Sequence, residues 1–276
     1  MIRCICLLAN PDRPDAIRLA ATAETYLNAH GIACIVPESG TEEALPECAE
    51  IILTFGGDGT LLIGARYAMK YHIPLMGFNL GTTGFLTEEE PEHLQEALDA
   101  ILAGRYETEE RMLLDVTNVK TGEHFSALND AVITRGGYAR LIRVECTVSG
   151  EAFGTFTSDG MIAATPTGST GYSLSAGGPI VEPSMRCIVL TPVCAHSLQQ
   201  CPCVVSDGSE IRFRLQKDRN QTAELQIDGM NRGTLEAGDE IIVTGSSDTV
   251  RLLRLHPYHF YSLLHMKLRE WGSNHE

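Results

Sequence analysis

The sequence predicts an α/β domain with a parallel sheet at the N-terminus, then an all-β sandwich, with a C-terminal helix packing back. Three observations carry this. Over residues 1–106, short apolar runs alternate with segments of helical apolar spacing, the pattern of a parallel sheet flanked by helices. From about Glu107 the runs become short and β-rich, with turn residues between them, as in an antiparallel sandwich. From Pro257 to Trp271, Phe260, Leu263, Leu264, Leu268 and Trp271 line one helix face. The expected boundaries are 1–106, 107–250 and 251–276.

The elements follow in order. Arg3–Ala9 reads as a first strand. Asp15–His30 carries Ala16, Leu19, Ala20, Ala23 and Leu27 at helical spacing, with Gly31 as a stop. Ile32–Val36 is strand-like. Ile51–Phe55 is a β-branched and aromatic run that ends in Gly56-Gly57-Asp58-Gly59, and a helix is expected from Leu61 to Tyr71. Ile73–Phe78 returns as a strand, and Pro91–Arg105 shows Leu94, Leu98, Ile101 and Leu102 on one helix face before Gly104. In the second part the expected strands are Leu113–Val119, Ala131–Thr134, Leu141–Val148, Ile188–Val193, Glu210–Leu215, Glu224–Ile227 and Glu240–Thr244. Thr121-Gly122, Ser149-Gly150, Asp207-Gly208 and Ala237-Gly238 mark turns between them.

Composition narrows the function classes. The 276 residues are 43% hydrophobic and 21% charged, as in soluble globular proteins. No apolar run approaches the ~20 residues that span a membrane. A net charge of −15 argues against nucleic acid as a partner, which needs a basic footprint. The same charge repels nucleotide phosphates, so backbone amides, local Arg or Lys and a divalent cation must offset it. The nine cysteines have no zinc-ribbon spacing and read as reduced, mostly buried thiols of a cytoplasmic protein. His196, two residues from Cys194, reads as structural.

Three segments carry chemistry. Gly56-Gly57-Asp58-Gly59-Thr60 follows a buried run and opens a helix, where glycines permit close backbone approach and free N–H groups suit phosphate. An acid in that place suggests phosphoryl transfer, with Asp58 as general base or metal partner; the simpler reading is a turn-stabilising carboxylate. No Lys follows, so this is not a Walker loop, nor is it the G-x-G-x-x-G fingerprint. Asn79-Leu80-Gly81-Thr82-Thr83-Gly84-Phe85-Leu86 is a second glycine turn, one strand away. Two such turns at carboxyl ends of neighbouring strands form one phosphate-binding crevice. Between Asp159 and Glu182 no residue is charged and half are Gly, Ser or Thr. Those hydroxyls and amides suit a base, a ribose and phosphates, and Tyr172 suits stacking.

Together these segments resemble the NAD kinase family. Residues 56–60 match its Gly-Gly-Asp-Gly signature, 79–86 its second glycine turn, and 158–183 its Asp-Gly…Thr-Pro-Thr-Gly-Ser-Thr…Tyr…Gly-Gly-Pro block. Thr191-Pro192, His196-Ser197, Asn129-Asp130 and Lys267-Leu268 with Trp271 fit further family positions in the right order. The resemblance implies NAD bound between two domains and association into a homodimer or homotetramer. It implies Asp58 as proton acceptor for the 2′-hydroxyl of the adenosine ribose and Gly59 as a backbone contact. Asn129 and Asp130 would hold NAD hydroxyls. Asp159, Thr170, Gly171, Tyr172, Ser173 and Ser175 would surround the adenine and nicotinamide ends, and Arg140 would be a basic contact. Gly56, Gly57, Gly59, Thr60 and Gly81 form the expected phosphate-binding turns. Departures from the family pattern are Thr83 for an apolar residue, Gly171 for Ala, Met230 for Gln after Asp228-Gly229, and Asp130 for Glu.

The reaction so implied is Mg-dependent transfer of the γ-phosphoryl group of ATP, or of polyphosphate, to NAD, giving NADP. The alternatives are another Gly-Gly-Asp-Gly kinase, of lipids or of phosphofructokinase type, and a non-catalytic dinucleotide-binding regulator. The Thr-Pro-Thr-Gly-Ser-Thr block argues against the first, and Asp58 has no use in the second.

Overall fold

A computed structural model describes residues 2–37, 48–81, 84–137, 140–196, 200–216 and 222–273, with backbone alone for 271–273. Thr82, Thr83, Ser197 and the Trp271 side chain therefore lie outside the described residues. Two compact units form, one from Met1–Glu110 with Val250–Glu276 and the other from Arg111–Thr249.

In the first unit the strands are β1 (Cys4–Ala9), β2 (Ala33–Ile35), β3 (Ile51–Gly56) and β4 (Leu75–Asn79), with helices α1 (Pro14–Ala29), α2 (Asp58–Tyr71) and α3 (Leu94–Leu102). The strands run parallel in the order β2-β1-β3-β4. β3 and β4 are buried along their whole length, which is why their sequences run apolar instead of alternating. α1 buries Ala16, Ala20, Ala23 and Leu27, and α3 buries Leu94, Ala97, Leu98 and Ile101, the faces that the spacing predicts. The Phe55 and Phe78 rings stack at 5.2 Å in this core.

The second unit is β-rich and antiparallel. The chain enters it within β5 (Glu107–Asn118) and continues through β6 (His124–Ala127), β7 (Asp130–Thr134), β8 (Ile142–Val148), β9 (Glu151–Ser158) and β10 (Gly160–Ala164). A 3-10 turn at Gly168–Thr170 and the short helix α4 (Tyr172–Ser175) lead to β11 (Cys187–Val193), β12 (Cys203–Ser206), β13 (Ile211–Leu215), β14 (Thr222–Ile227), β15 (Met230–Glu236) and β16 (Glu240–Arg254). One layer has the order β12-β11-β10-β7-β14-β15, and the other joins β16, β13, β8 and β9 with β5 and β6. Alternate residues of both layers, among them Val116, Ile133, Val144, Phe156, Met161, Ile188, Phe213, Leu225 and Val243, share one core, as a sandwich requires.

The last residues of β16 belong to the first unit, where Leu252 pairs in parallel with Leu75. The C-terminal helix α5 (Phe260–Ser273) is part of that unit too. Its expected apolar face is corrected in part. Phe260 is buried, but Leu268 is exposed, and Lys267 is the buried residue of the later turns among the described side chains, paired with Glu270 at 3.2 Å. A lysine stem packs like an aliphatic chain while its ammonium finds an acid, so a pattern of apolar letters misplaces the face. The thiols are corrected as well. None of the nine is in a disulfide, but only Cys4, Cys6, Cys146 and Cys187 are buried, while Cys48, Cys194 and Cys201 are exposed.

Candidate active site

The Gly-Gly-Asp-Gly segment does not precede a helix; it starts one. Gly57 is the extended N-cap, with φ −112° and ψ −167°, and Asp58 is the first residue of α2. Among the described residues no side chain caps this end; Thr60 N–H donates to Gly57 O at 2.9 Å, so the Asp58 and Gly59 amides are the ones open to an anion. Gly56 has a packing reason of its own, since a Cβ there would lie 2.8 Å from the Thr60 Cβ.

The two glycine turns meet, and Asp58 joins them. Leu80 N–H donates to Gly56 O at 2.9 Å. The Asp58 Oδ2 accepts Phe85 N–H at 2.8 Å, and its Oδ1 accepts Leu86 N–H at 3.2 Å and Thr87 N–H at 3.3 Å. Any Cβ on Gly84 would overlap the same carboxylate. A carboxylate offers about four acceptor positions, two on each oxygen. Among the described residues Oδ1 is therefore full, and Oδ2 keeps one position for a further donor. The turn-stabilising role is real, but Asp58 stabilises the neighbouring turn.

Residues 85–89 are held in turn by a segment that sequence reasoning missed. Glu88 accepts Arg254 Nη1 at 2.7 Å and the N–H groups of Leu255 and His256 at 3.0 and 3.1 Å. The buried Arg254 also donates through Nε to Glu109 at 2.8 Å and stacks 4.3 Å over the Tyr258 ring. The Tyr258 hydroxyl donates to Phe85 O at 3.3 Å. The only sequence signal is an arginine closing a strand that already carries Arg251, and the pairing across 166 residues leaves no local trace. The Asn79 Nδ2 donates to Gly81 O, and its buried Oδ1 has no hydrogen-bond partner among the described residues. A cavity of about 650 Å³ beside this turn is lined by Asp15, Glu90 and Glu92 with Arg18.

In the second unit, Asn129 and Asp130 stand where β7 begins. The Asn129 Oδ1 is buried without a hydrogen-bond partner among the described residues, as expected of an acceptor reserved for a ligand. Asp130 is 5% exposed. Burial, and next the Asp228 charge, push its carboxyl up to about 7. Asp159 is bound by Arg135 Nε at 2.7 Å, a cation absent from the expected site. Tyr172 is 44% exposed. Its phenol is held above its ordinary value by burial first, then by the charges of Cys194, Asp159 and Asp130. The charges of Asp130 and Asp159 thus both act on the Tyr172 phenol.

The hydroxyl-rich segment is corrected. Its hydroxyls are not all free for a ligand: Thr165, Thr167, Ser169 and Ser173 are buried. Their hydroxyls bond inward. Ser169 Oγ donates to Pro166 O at 2.7 Å, Ser173 Oγ and Thr191 Oγ1 share a bond at 2.8 Å, and Thr170 Oγ1 donates to Thr167 O at 3.2 Å. The Ser173 hydroxyl is therefore committed to the fold. Gly171, Tyr172 and the exposed Ser175 remain at the surface end. A Cβ on Gly171 would stand 3.3 Å from Gly168 O and 3.8 Å from Asn129 Nδ2. Arg140 is exposed and makes no ion pair among the described residues.

An α/β unit whose helix opens on an acid among glycines, followed by a β unit that holds an Asn-Asp pair, has the build of a nucleotide-dependent phosphotransferase. Comparison with known proteins makes this specific. Residues 9–106 match the family model of the ATP-NAD kinase N-terminal domain, and residues 128–255 that of the ATP-NAD kinase C-terminal domain. The chain is 39% identical to an NAD kinase of Moorella thermoacetica, over 99% of this chain and 91% of that one. It is 41% identical to one from Trichlorobacter lovleyi, over 84% and 82%. Among solved structures it is similar to a yeast NADH kinase complexed with NADH, at TM-score 0.81 and 26% identity, covering 92% of this chain and 83% of the other. An NAD kinase from Archaeoglobus fulgidus in complex with ATP matches at TM-score 0.77 and 27% identity, covering 96% and 98%. The chain belongs to the NAD kinase family.

Proposed function

We propose that this protein moves the γ-phosphoryl group of ATP to the 2′-hydroxyl of the adenosine ribose of NAD, releasing ADP and NADP. The observation that carries the assignment of the base is the Asp58 carboxylate, fixed by three amides with one acceptor position open on Oδ2. In the reaction the ribose O–H bond breaks, with its proton passing to Oδ2. The ribose oxygen bonds to the γ-phosphorus, and the bond from that phosphorus to the β,γ-bridging oxygen breaks, leaving ADP. Such transfer depends on positioning and charge neutralisation more than on covalent help from the protein. The open amides at the start of α2, with Gly56, Gly57, Gly59, Thr60 and Gly81 around them, receive donor phosphates. On the second unit, the free Asn129 Oδ1 and the Asp130 carboxyl take NAD hydroxyls. Tyr172 stacks on a ring, and Gly171, Ser175, Asp159, Thr170 and Arg140 line the remaining contacts.

A divalent cation, Mg²⁺ by expectation, fits as a companion of the donor. The described residues contain no group of three metal-ligating side chains, and Mg²⁺ is commonly held by one or two carboxylates together with substrate phosphates. Bound there, it would neutralise phosphate charge, which the acidic lining beside the second turn otherwise repels. No helix among the described residues is long and apolar enough to cross a membrane; we assign the protein to the cytoplasm and to a homodimer or homotetramer. Incubation with ATP, Mg²⁺ and NAD, followed by an NADP-specific dehydrogenase, tests the reading. Absence of NADP from folded protein, with both ATP and polyphosphate as donors, rejects it.

A further inference from the structure

A backbone fixed before the ligand arrives spares Asn129 and Asp130 the cost of ordering on binding. Every backbone polar group from Leu128 to Asp130 has a partner. The carbonyl of Leu128 accepts the Thr165 hydroxyl at 2.6 Å, and that of Asn129 accepts Thr165 N–H at 2.9 Å. The three N–H groups converge on one side chain. Asp228 Oδ2 accepts Leu128 N–H at 2.9 Å, and its Oδ1 accepts Asn129 N–H at 2.7 Å and Asp130 N–H at 3.1 Å. The Asp228 N–H closes the ring by donating to Asp130 O at 3.0 Å.

Asp228 lies 98 to 100 residues from these amides, at the tip of the β14–β15 hairpin. It and Gly229 have φ of +47° and +76°, as a two-residue type I′ turn requires. Asp tolerates that left-handed conformation better than most residues. Turn geometry alone would accept Asn or Gly equally well. A carboxylate 8% exposed that gathers three consecutive amides does something a turn does not need.

We propose that Asp228 is a positioning residue for dinucleotide recognition: it holds the Leu128–Asp130 backbone so that the Asn129 amide and the Asp130 carboxyl meet the NAD hydroxyls. The proposal rests on the reading of Asn129 and Asp130 given above. On the opposite side Gly168 leaves no room for displacement, since a Cβ there would overlap the Asn129 carbonyl. The segment is clamped between Asp228 and the Thr165–Gly168 turn, and the unpartnered Asn129 Oδ1 is what the clamp presents.

Asp228→Asn tests this, because Asn keeps the left-handed turn and removes one of the two acceptor oxygens. NAD Kd is measured by titration calorimetry, KM for NAD and for ATP by the NADP assay, and folding by thermal melts, with Asn129→Ala in parallel. The expected result is a rise of tenfold or more in NAD Kd and KM with KM for ATP within twofold of wild type. In the double variant the two effects should fall well short of additive, since Asp228 acts through Asn129. A folded Asp228→Asn protein with a lowered melting temperature and unchanged NAD Kd overturns the proposal. An Asn129→Ala protein that binds NAD normally overturns the underlying site reading instead. Should Asp228→Asn not fold, Asp228→Glu keeps the charge, moves it by one methylene, and carries the same expectation and the same refutation.

Discussion

Asp58→Asn separates the two roles that the structure gives Asp58. The wild-type carboxylate accepts three backbone N–H groups. Asn offers one carbonyl oxygen, enough for two of them, and turns an NH₂ towards the third. A donor left without its acceptor costs about 1–3 kcal/mol, and the two surviving bonds each lose about 1 kcal/mol of charge assistance. Asp58 is only half-buried, so water relieves part of this, and a net loss of roughly 2–4 kcal/mol is expected. At about 2–4 °C per kcal/mol, the first unit should melt roughly 4–16 °C lower. Turnover should fall ~10²–10⁴-fold, the range for losing a general base. The assays are a thermal melt and initial rates of NADP formation well below the variant's transition. A folded variant with turnover within threefold of wild type refutes the base. An unchanged melting temperature refutes the clamp, and either result can occur without the other.

Three further outcomes are expected. Tyr172→Ala should weaken NAD binding by ~1–3 kcal/mol, the range for a lost stacking partner in nucleic-acid sites; because the ring is 44% exposed, the melting temperature of the free protein should barely move, and an unchanged calorimetric Kd removes Tyr172 from the site. Excess EDTA should abolish NADP formation, since a chain of charge −15 accepts a polyphosphate only with its charge offset; full activity in EDTA would show that the protein's own cations suffice. Asp130 ionises near 3.8 when free and near 7 in the fold, so the folded state holds an extra proton between those values. Stability should therefore fall as pH rises across that window, by about 4 kcal/mol in all, and level off above it. Asp130→Asn should flatten this slope and melt higher than wild type at pH 8; parallel slopes for the two proteins between pH 4 and 7 would exclude it.

The first unit is legible because its signals are local. Buried parallel strands leave apolar runs, and α1 and α3 show their faces in the spacing of Ala20, Ala23, Leu27, Leu94 and Leu98. In the second unit β6, β9, β10, β12 and β15 are not legible. Gly154 interrupts β9 at φ +153°, β10 opens the glycine- and hydroxyl-rich segment, and β15 carries mostly exposed polar residues. Each is a strand because a neighbour pairs with it, a fact that composition does not hold. Asp228-Gly229 is a readable hairpin signal, but nothing in the two letters says that the carboxylate serves residues a hundred positions away.

The candidate site shows the same limit more sharply, because Asp58 and Asp228 are built alike. Each collects three consecutive backbone N–H groups from a distant loop, residues 85–87 in one case and 128–130 in the other. An N–H has no residue identity, so neither partnership leaves a mark where the donors lie. What does leave a mark is the space the approach requires. Gly84 has no room for a Cβ against the Asp58 carboxylate, and Gly168 has none against the Asn129 carbonyl. Glycines that invite a phosphate reading thus divide into two kinds. Gly57 caps the helix whose amides stay open, and a ligand is the natural use for it. Gly84 and Gly168 make room for other parts of the protein. A glycine motif in a sequence marks close approach, and only the structure tells whether the approaching group is a substrate or the chain itself.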